Sequence, residues 1–587
     1  MILDDLRSKM KKLGLSAYII PTLDPHGSEY LPEYYKERKF VTGFTGSAGT
    51  ALITLDEAFL WTDGRYFIQA ENEIKNFGFK LMKMGIEGYP TINEYLSNNL
   101  KDGSKIGLNA NYYIEKDFED LKNLLNSKNI IIEDVDLIYD LWKDRPALSD
   151  SKIFIHDIKY SGKSSEEKIN EIRKILLEKE ADLTILNSLD DIAWIFNIRA
   201  RDIKNTPVVI SYAIIEEDKA YLFVDNSKLD DKVKSYLEKF SIIREYDEIF
   251  EYVKLYKNKK IYVNDKKINR KLYASINESN IIVKGNDISA SLKSIKNNVE
   301  IENQKNAYLK DGVALTKYIY WLKKKADIEN LNEFEVSEKL YGLRKEQEGF
   351  LEGSFDTISA YGSNAAMMHY TASREKNSKL EPKGLYLVDS GGQYLDGTTD
   401  ITRTISLGDL TEEEIKDFSY VLKSHLSLMD LVFLKGTKDI QLDSIARNPI
   451  WSIGYDYKCG TGHGVGYLLG VHETPPTVGP RSTVNEVKVG MIFSNEPGIY
   501  KEGKHGIRIE NIVEVVETFK NESGTFLKLN TISLAPIDID AIDVKYLTKE
   551  EIEKLNSYHK MVFEKLSPYL ETEEKKWLKE VTKAIGE

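Results

Sequence analysis

The residues of this 587-residue chain with the most evident chemical potential are four carboxylates and one histidine in its C-terminal half. They stand in the frames LVDSGGQYLDGTTDITRT, GTGHGVG, SNEPGIY and GIRIENIVEV, and they are Asp389, Asp400, His463, Glu496 and Glu510. Carboxylates bridge hard cations and one imidazole can complete the ligands, so the set can hold two divalent ions side by side. Separate surface acids would be the plainer interpretation. However, each acid lies in an apolar strand beside Gly or Pro, where an unpaired charge is costly to bury.

The composition of this set narrows the chemistry. Oxygen-rich ligands with a single imidazole favour manganese, cobalt or iron over a closed structural zinc site, which would use thiolates. Two ions about 3.5–4 Å apart would hold a bridging hydroxide and polarise a carbonyl group. The set therefore predicts metal-assisted hydrolysis of an amide bond.

The strands that carry these residues predict how the side chains are aimed. A Gly-rich turn between LYLVD and DITRT is typical of a hairpin, so Asp389 and Asp400 should face each other across neighbouring strands. The two-residue period of a strand places Arg508 on the same face as Glu510. The glycines around His463 allow the main chain to approach a metal or substrate closely.

The whole chain has the composition of a soluble globular protein, with 41% hydrophobic and 30% charged residues. Its length predicts roughly three or four domains. The net charge of −13 gives no electrostatic support for binding nucleic acid or an acidic membrane. The single cysteine, Cys459, excludes an intrachain disulfide and fits a reducing compartment. Because no signal peptide or membrane-spanning run is evident, we predict a cytoplasmic protein.

The N-terminal half repeats one pattern of elements. Each of two segments runs helix, strand, aromatic stretch, second strand, and then a strand that ends at Asp; the strands are AYIIP, TALITL and AFLWT in the first and DLTIL, VVISYAII and YLFV in the second. This order predicts a duplicated α/β domain, and shared architecture without duplication stays an alternative. Three capping boxes predict helix starts further along: Ser164 with Glu167, Thr411 with Glu414, and Thr548 with Glu551.

With these motifs, the C-terminal half resembles the pita-bread metallopeptidases, and the whole chain resembles the long, cytosolic aminopeptidase P (Xaa-Pro aminopeptidase) family. The likeness extends from AYIIPTLDPHGSEYLPEYYKERKFVTGFTGSAGTALIT and LWTDGRYFIQA to YLTKEEIEKLNSYHKMVFEKLSPYL. It implies a fold of the α/β and α+β classes with three domains. These would be two creatinase-like α/β domains, residues 1–152 and 153–300, and a pita-bread catalytic domain with a helical C-terminal extension, residues 301–587.

The resemblance also implies a role for each residue of the set. All five would bind two divalent ions, most often Mn²⁺, with Co²⁺, Fe²⁺ and Zn²⁺ as alternatives. Asp400 and Glu510 would bridge the ions and His463 would serve one of them. Glu496 would also take a proton from the nucleophilic water and pass it to the leaving nitrogen.

Three more residues acquire catalytic roles by the same resemblance. His369 in SNAAMMHYT would stabilise the intermediate, and His472 in GVHETPP would contact the substrate beyond the scissile bond. Arg508 would order the site beside the last ligand. The plainer alternatives are histidines of the core or surface and an arginine that only pairs within its strand.

One position departs from the family pattern. Relatives commonly have a histidine four residues before the metal-binding histidine, and here that position is Cys459. A thiol exchanges protons poorly unless its pKa is lowered. We predict that Cys459 contacts substrate without being essential; the alternative is a small residue packed beneath the glycine loop.

The implied function is release of the N-terminal residue from peptides with proline second, by attack of a metal-bridging hydroxide on the X–Pro amide. The resemblance implies a homodimer and peptide substrates, with no nucleic-acid or membrane partner. A prolidase, which cuts only X–Pro dipeptides, is one alternative, and the duplicated N-terminal half argues against it. A non-catalytic pita-bread binding protein is another, and the five intact ligands argue against that.

Overall fold

The structure is a computed structural model that describes residues 2–325, 328–480 and 484–586. It divides the chain into two compact units: Met1–His156 with Lys163–Ala290, and Asp157–Gly162 with Ser291–Glu587. Among the described helices, none combines the length and the apolar character that a membrane crossing requires.

The first unit begins with one α/β repeat. Its elements are α1 (Ile2–Leu13), β1 (Ala17–Pro21), α2 (Glu37–Thr42), β2 (Thr50–Thr54), β3 (Ala58–Thr62), α3 (Phe67–Ile74), β4 (Lys80–Lys83), α4 (Ile92–Asn99), β5 (Lys105–Leu108), α5 (Glu115–Leu125) and β6 (Ile131–Asp134). Helix α1 buries Leu3, Leu6 and Met10, and Gly14 follows it in a left-handed conformation with φ of +69°. Helix α1 is therefore amphipathic and ends at a glycine that takes a conformation other residues rarely adopt.

The second repeat follows and extends into the start of the second unit. Its elements are β7 (Phe154–Ile155), α6 (Ile158–Ser161), α7 (Ser165–Glu178), β8 (Leu183–Leu186), α8 (Leu189–Ile195), β9 (Ile198–Arg199), β10 (Ser211–Glu216), β11 (Ala220–Val224), α9 (Asp231–Leu237), β12 (Ile242–Arg244), α10 (Ile249–Tyr252), β13 (Lys260–Val263), α11 (Arg270–Ser275), β14 (Ile281–Lys284) and α12 (Ile288–Lys293). Of these, α6 and the end of α12 belong to the second unit.

The two repeats share one sheet topology. Their strand orders are β4-β3-β2-β1-β5-β6 and β12-β11-β10-β8-β13-β14. In the first sheet, β1 lies between β2, to which it is antiparallel, and β5, to which it is parallel. In the second sheet, β8 lies in the same way between antiparallel β10 and parallel β13. The repeated pattern is therefore confirmed. The strands that end at Asp do not close the sheets, because β4 and β12 lie beyond β3 and β11.

The rest of the second unit combines long helices with antiparallel sheets. Its elements are α13 (Asn298–Lys324), α14 (Glu333–Lys345), β15 (Phe350–Gly353), β16 (Ile358–Tyr361), β17 (Leu385–Ser390), β18 (Gly392–Tyr394), β19 (Gly397–Thr398), β20 (Ile401–Ser406), α15 (Glu412–Leu428), β21 (Val432–Leu434), α16 (Asp439–Trp451), β22 (Gly462–Gly464), β23 (Glu473–Val478), β24 (Ile492–Asn495), β25 (Gly498–Lys501), β26 (His505–Arg508), β27 (Asn511–Asn521), β28 (Gly524–Thr531), α17 (Lys549–Leu566) and α18 (Thr572–Val581). All three capping boxes predicted from the sequence are present, at α7, α15 and α17.

Two sheets of this unit carry the residues singled out above. One has the order β16-β17-β20 and the other β21-β28-β27-β24-β22-β23. The predicted antiparallel pairing across the Gly-rich turn is observed between β17 and β20, with Asp389 opposite Thr402. The turn itself holds the short strands β18 and β19, which pair in a separate sheet with β15. Apolar side chains from α15, α17 and the β25–β26 hairpin form a buried core behind these sheets.

Candidate metal centre

The five predicted ligands lie on or next to five different strands. Asp389 is the penultimate residue of β17, Asp400 precedes β20, His463 is central in β22, Glu496 follows β24, and Glu510 precedes β27. The main chain of a strand fixes the direction of each side chain, and a place at or near the strand end lets that side chain reach the site. The geometry therefore gathers residues that are 121 positions apart in the sequence, from 389 to 510, at one place.

Side chains of this set form three overlapping groups whose potential ligand atoms lie within 4.8 Å of one another. The groups are Asp389, Asp400 and Glu510; His463, Glu496 and Glu510; and Asp400, His463 and His472. Glu510 and Asp400 each belong to two groups. A shared carboxylate between two clusters is the arrangement that a pair of bridged cations requires.

The ring of His463 is oriented by the main chain. Its Nδ1 lies 2.9 Å from the carbonyl oxygen of Gly464, which can only accept, so Nδ1 carries the proton. The other nitrogen, Nε2, lies 3.5 Å from Asp400 Oδ2 and 3.3 Å from Glu496 Oε1. A neutral imidazole would thus point a lone pair at two carboxylates, an arrangement that needs a proton or a cation between them.

Within the proposed ligand set, two buried carboxylate oxygens have no hydrogen-bond partner among the described residues, namely Asp389 Oδ1 and Glu510 Oε1. The second oxygen of each carboxylate is held: Arg508 Nη2 donates to Asp389 Oδ2 at 2.6 Å, and Thr402 Oγ1 donates to Glu510 Oε2 at 2.7 Å. An unpartnered buried carboxylate oxygen is costly, and coordination of a cation would satisfy it.

Burial and the crowding of carboxylates raise the pKa values of Asp389 and Glu510, and the carboxylates raise that of His463. Burial raises the pKa of Asp389 to about 7; nearby carboxylates add to the rise and Arg508 opposes it. Burial, with three neighbouring carboxylates, raises the pKa of Glu510 well above its usual range. Burial would lower the pKa of His463, but Asp400 and Glu496 outweigh it and raise this pKa to about 9. Without cations the cluster holds protons; bound cations would displace them.

The residues therefore fit a pair of divalent cations. The donors are carboxylate oxygens and one imidazole nitrogen, they converge in overlapping groups, and two of the oxygens lack partners. This donor set suits Mn²⁺, Co²⁺ or Fe²⁺ better than a structural zinc ion.

Ser494 couples the positions of two ligands. Its hydroxyl accepts from the main-chain N–H of His463 at 2.9 Å and donates to Glu496 Oε1 at 3.1 Å. The neighbouring Gly462 allows this approach, since a Cβ there would lie 1.9 Å from the carbonyl oxygen of Ser494. The glycine run before His463 is thus required by close packing of main chains.

Arg508 is buried and ordered by several groups. Besides Asp389, its guanidinium contacts the hydroxyl of Tyr500 at 2.7 Å and the hydroxyl of Thr402 at 3.1 Å. Burial would lower the pKa of Arg508, but Tyr500, Asp389 and Glu496 outweigh it and raise this pKa well above its usual value. Arg508 therefore holds Asp389 through one oxygen and leaves the other available.

Of the two predicted substrate histidines, His472 contacts a proposed ligand directly. The ring of His472 meets that of His463 edge to face, with centroids 4.2 Å apart, and shares a potential ligand group with it. His369 directly follows Met368, whose carbonyl oxygen is 3.4 Å from Arg508 Nη2, so its main chain lies beside Arg508.

Cys459 belongs to none of the potential ligand groups within the described part of the chain. It is partly buried, and its carbonyl oxygen accepts from Arg447 Nη2 at 2.5 Å. Its side chain packs against the apolar core behind the sheets. Tyr500, whose hydroxyl contacts Arg508, packs against the same core.

Sequence reasoning missed several residues that order the ligands. Thr402 and Arg403 stand in TTDITRT beside Asp400, and Tyr500 stands in NEPGIY beside Glu496, so nearness to a predicted ligand was the available signal.

Comparison with known families places the chain in a class. Residues 3–140 and 144–300 both match the creatinase/prolidase N-terminal domain, residues 302–517 match metallopeptidase family M24, and residues 525–585 match the C-terminal region of M24 peptidases. Together with the clustered carboxylates and histidine, these matches define an M24 metallopeptidase with two creatinase-like domains ahead of a pita-bread domain.

Relatives that align over the whole chain identify the family within this class. Xaa-Pro aminopeptidase 1 of Dictyostelium discoideum is 41% identical, with alignment over 99% of the chain and 96% of that protein. Aminopeptidase P2 of Arabidopsis thaliana is 37% identical over 100% of the chain and 89% of that protein. The chain belongs to the Xaa-Pro aminopeptidase family.

Solved structures with the same fold include a member of the Xaa-Pro aminopeptidase family. X-prolyl aminopeptidase from Caenorhabditis elegans, described as a cytosolic enzyme with a di-nuclear active site, superposes with a TM-score of 0.95 at 33% identity over 99% of both chains. An Xaa-Pro dipeptidase from Bacillus anthracis superposes with a TM-score of 0.52 at 23% identity, over 64% of the chain and 99% of that protein. The second likeness extends to the fold alone.

Proposed function

We propose that the chain is a metal-dependent aminopeptidase that releases the N-terminal residue from peptides with proline at the second position. The observation that carries this proposal is the cluster of Asp389, Asp400, His463, Glu496 and Glu510 in a chain related over its full length to Xaa-Pro aminopeptidases. The tertiary X–Pro amide lacks an N–H, so a site that does not depend on binding that hydrogen suits it.

The five residues would hold two divalent ions, of which Mn²⁺ is the one we propose. When bound, the ions would polarise the scissile carbonyl group and lower the pKa of the attacking water. The unpartnered oxygens of Asp389 and Glu510 support the binding of two cations, as does the position of His463 Nε2 beside two carboxylates.

The remaining roles belong to side chains around the cluster. Glu496 would accept the proton of the attacking water and deliver it to the proline nitrogen as the amide breaks. His472, next to His463, would contact the substrate beyond the scissile bond, and His369 would stabilise the tetrahedral intermediate. Arg508 would keep Asp389 in place.

Several broader features complete the proposal. We infer a domain division at residues 1–152, 153–300 and 301–587, a homodimer, and a cytoplasmic location. The separate family matches at residues 3–140, 144–300 and 302–517 support the division, and the description of the nematode relative as cytosolic supports the location.

Cleavage of X–Pro–Y peptides by metal-stripped and reloaded protein tests the function. We expect no activity after stripping and recovery on adding Mn²⁺, with Co²⁺ and Zn²⁺ compared alongside. An Asp400→Ala variant should stay inactive at any metal concentration, because Asp400 belongs to two of the ligand groups. Activity of this variant would contradict the two-metal proposal, and cleavage of X–Pro dipeptides alone would favour a prolidase.

Replacement of Cys459 should have a small effect. Because its thiol lies outside the ligand groups, Cys459→Ala should keep its metal content and change kcat/KM by less than about 10-fold, mainly through KM. Steady-state kinetics with an X–Pro–Y peptide would measure this. Near-total loss of kcat with unchanged metal content would show that the thiol is essential.

A further inference from the structure

A buried arginine lies directly behind the metal cluster without a carboxylate partner among its described contacts. Arg403, on β20, is 1% exposed. Its Nη1 donates to the main-chain carbonyl oxygens of Thr402 at 2.9 Å and Glu510 at 2.6 Å, and its Nε donates to that of Pro536 at 3.0 Å. Arg403 therefore binds the main chain of the proposed ligand Glu510. It also binds the main chain of Thr402, whose hydroxyl donates to the Glu510 carboxylate.

The second terminal nitrogen of Arg403 starts a directional chain of hydrogen bonds. Arg403 Nη2 donates to Asn511 Oδ1 at 2.8 Å, which fixes that amide so that its Nδ2 faces His425 Nε2 at 3.1 Å. Since Nδ2 can only donate, His425 Nε2 accepts, and its Nδ1 donates to the carbonyl oxygen of Asn495 at 3.1 Å. Burial, with the charge of Arg403, lowers the pKa of His425 to about 3, so the ring is neutral as this chain requires.

The same arginine reaches the C-terminal helix α17. Arg403 Nη2 donates to the hydroxyl of Tyr558 at 2.8 Å, and this hydroxyl is 2.9 Å from the carbonyl oxygen of Ala535. Tyr558 is 3% exposed. We call the connected residues the Arg403 network, and its members are Arg403, Asn511, His425, Asn495 and Tyr558.

The network touches three of the segments that carry proposed ligands. Arg403 lies on β20, three residues after Asp400, which directly precedes that strand. Asn511 adjoins Glu510, and Asn495 adjoins Glu496. None of its side chains belongs to a potential ligand group among the described residues. The network is thus placed to fix the relative positions of main chains that present the ligands, while taking no part in coordination.

We propose that the Arg403 network sets the affinity of the centre for its metal ions by holding the ligand-bearing strands in register. Tyr558 makes the C-terminal helical extension part of this support. Metal sites depend on ligands held within about 0.5 Å of their productive positions, and changes in groups that orient ligands typically weaken metal binding by about 10–100-fold. This inference rests on the proposed metal centre.

Removal of one hydroxyl group tests the proposal. In Tyr558→Phe, we expect the dissociation constant for Mn²⁺, measured by competition with a chelator, to rise by about 10-fold. At saturating Mn²⁺, kcat should return close to the wild-type value, because the residue touches neither substrate nor reacting atoms. A mere loss of stability would not separate metal affinity from kcat in this way.

Tyr18→Phe provides the matched control. Tyr18 is 1% exposed in the first unit, and its hydroxyl donates to the carbonyl of Val135 at 3.0 Å and accepts from Leu137 at 3.2 Å. The same chemical change at the same burial should leave the Mn²⁺ dissociation constant unaltered. Equal metal affinity in wild type and Tyr558→Phe, or equal weakening in both variants, would overturn the proposal.

A second variant strengthens the test. Arg403→Lys keeps the charge but loses the fork that reaches Glu510, Asn511 and Tyr558 together, so it should weaken Mn²⁺ binding more, by about 100-fold. If the wild-type protein itself binds no metal, the proposed metal centre fails. If wild type binds two ions and both variants match it, only the role of the network fails.

Discussion

Glu496→Gln should lower kcat for an X–Pro–Y peptide by about 10²–10⁴-fold, the usual contribution of a positioned acid or base. The amide keeps the size of the side chain and one oxygen that can coordinate, but it cannot accept a proton from water. Burial raises the pKa of Glu496, and the ring of His463 and the charge of Arg508 oppose that rise. Stopped assays at saturating Mn²⁺, with bound metal determined on the same sample, would measure the effect.

Glu502→Gln serves as the control for this substitution. Glu502 is exposed in the turn between β25 and β26, six residues after Glu496, and it belongs to no potential ligand group in the described chain. Its replacement should leave kcat unchanged. Wild-type kcat in Glu496→Gln would exclude the proposed acid–base role, whereas loss of bound metal in parallel with activity would assign Glu496 to coordination alone.

Arg508→Met should destabilise the metal-free protein strongly. Removal of one partner from a buried ion pair costs about 3–5 kcal/mol, because it leaves the other charge buried alone. Arg508 Nη2 and Asp389 Oδ2 are 2.6 Å apart, with side chains 3% and 10% exposed. Calorimetry should therefore show a lower unfolding temperature for the second unit. Saturating Mn²⁺ should restore much of it, because cations bound at Asp389 offset its charge and stabilise by mass action.

A second buried pair in the same unit gives the comparison. Arg344 and Asp311 form two hydrogen bonds of 2.7 and 3.0 Å and are 2% and 1% exposed. Asp311 is in no potential ligand group of the described residues. Arg344→Met should therefore destabilise the second unit by a similar amount with and without Mn²⁺. If Mn²⁺ rescues both variants equally, Arg508 has no special relation to the metal centre.

The sequence predicted the ligands better than the residues that orient them. Asp389, Asp400 and Glu510 stand beside glycine or within alternating apolar strands, so their local context already indicates an aimed carboxylate. Arg403 and Tyr558, in contrast, are joined only by the three-dimensional fold, across 155 positions. An arginine with carbonyl partners leaves no pattern in sequence, because main-chain acceptors are the same for every residue type.

The repeat in the N-terminal half was predictable for a related reason. Strands such as AYIIP and DLTIL are mostly apolar and flanked by helices, and both lie at the same position in their sheets. The outer strands β6, β12 and β14 are short and only partly buried, and their alternation is too weak to predict them. The sequence predicts a single hairpin turn after Asp389, whereas residues of this turn form β18 and β19, which join β15 in a separate sheet.

The position of Tyr558 has a consequence for synthesis of the protein. Tyr558 follows Glu510 by 48 residues, so a growing chain displays every proposed ligand before the helix that supports them has been made. Chains are synthesised from the N-terminus at about 5–20 residues per second, and their domains fold as they emerge. During that interval four carboxylates would be brought together without their final support. Translation that stops between Glu510 and Tyr558 would release a chain that has all the proposed ligands but binds metal more weakly.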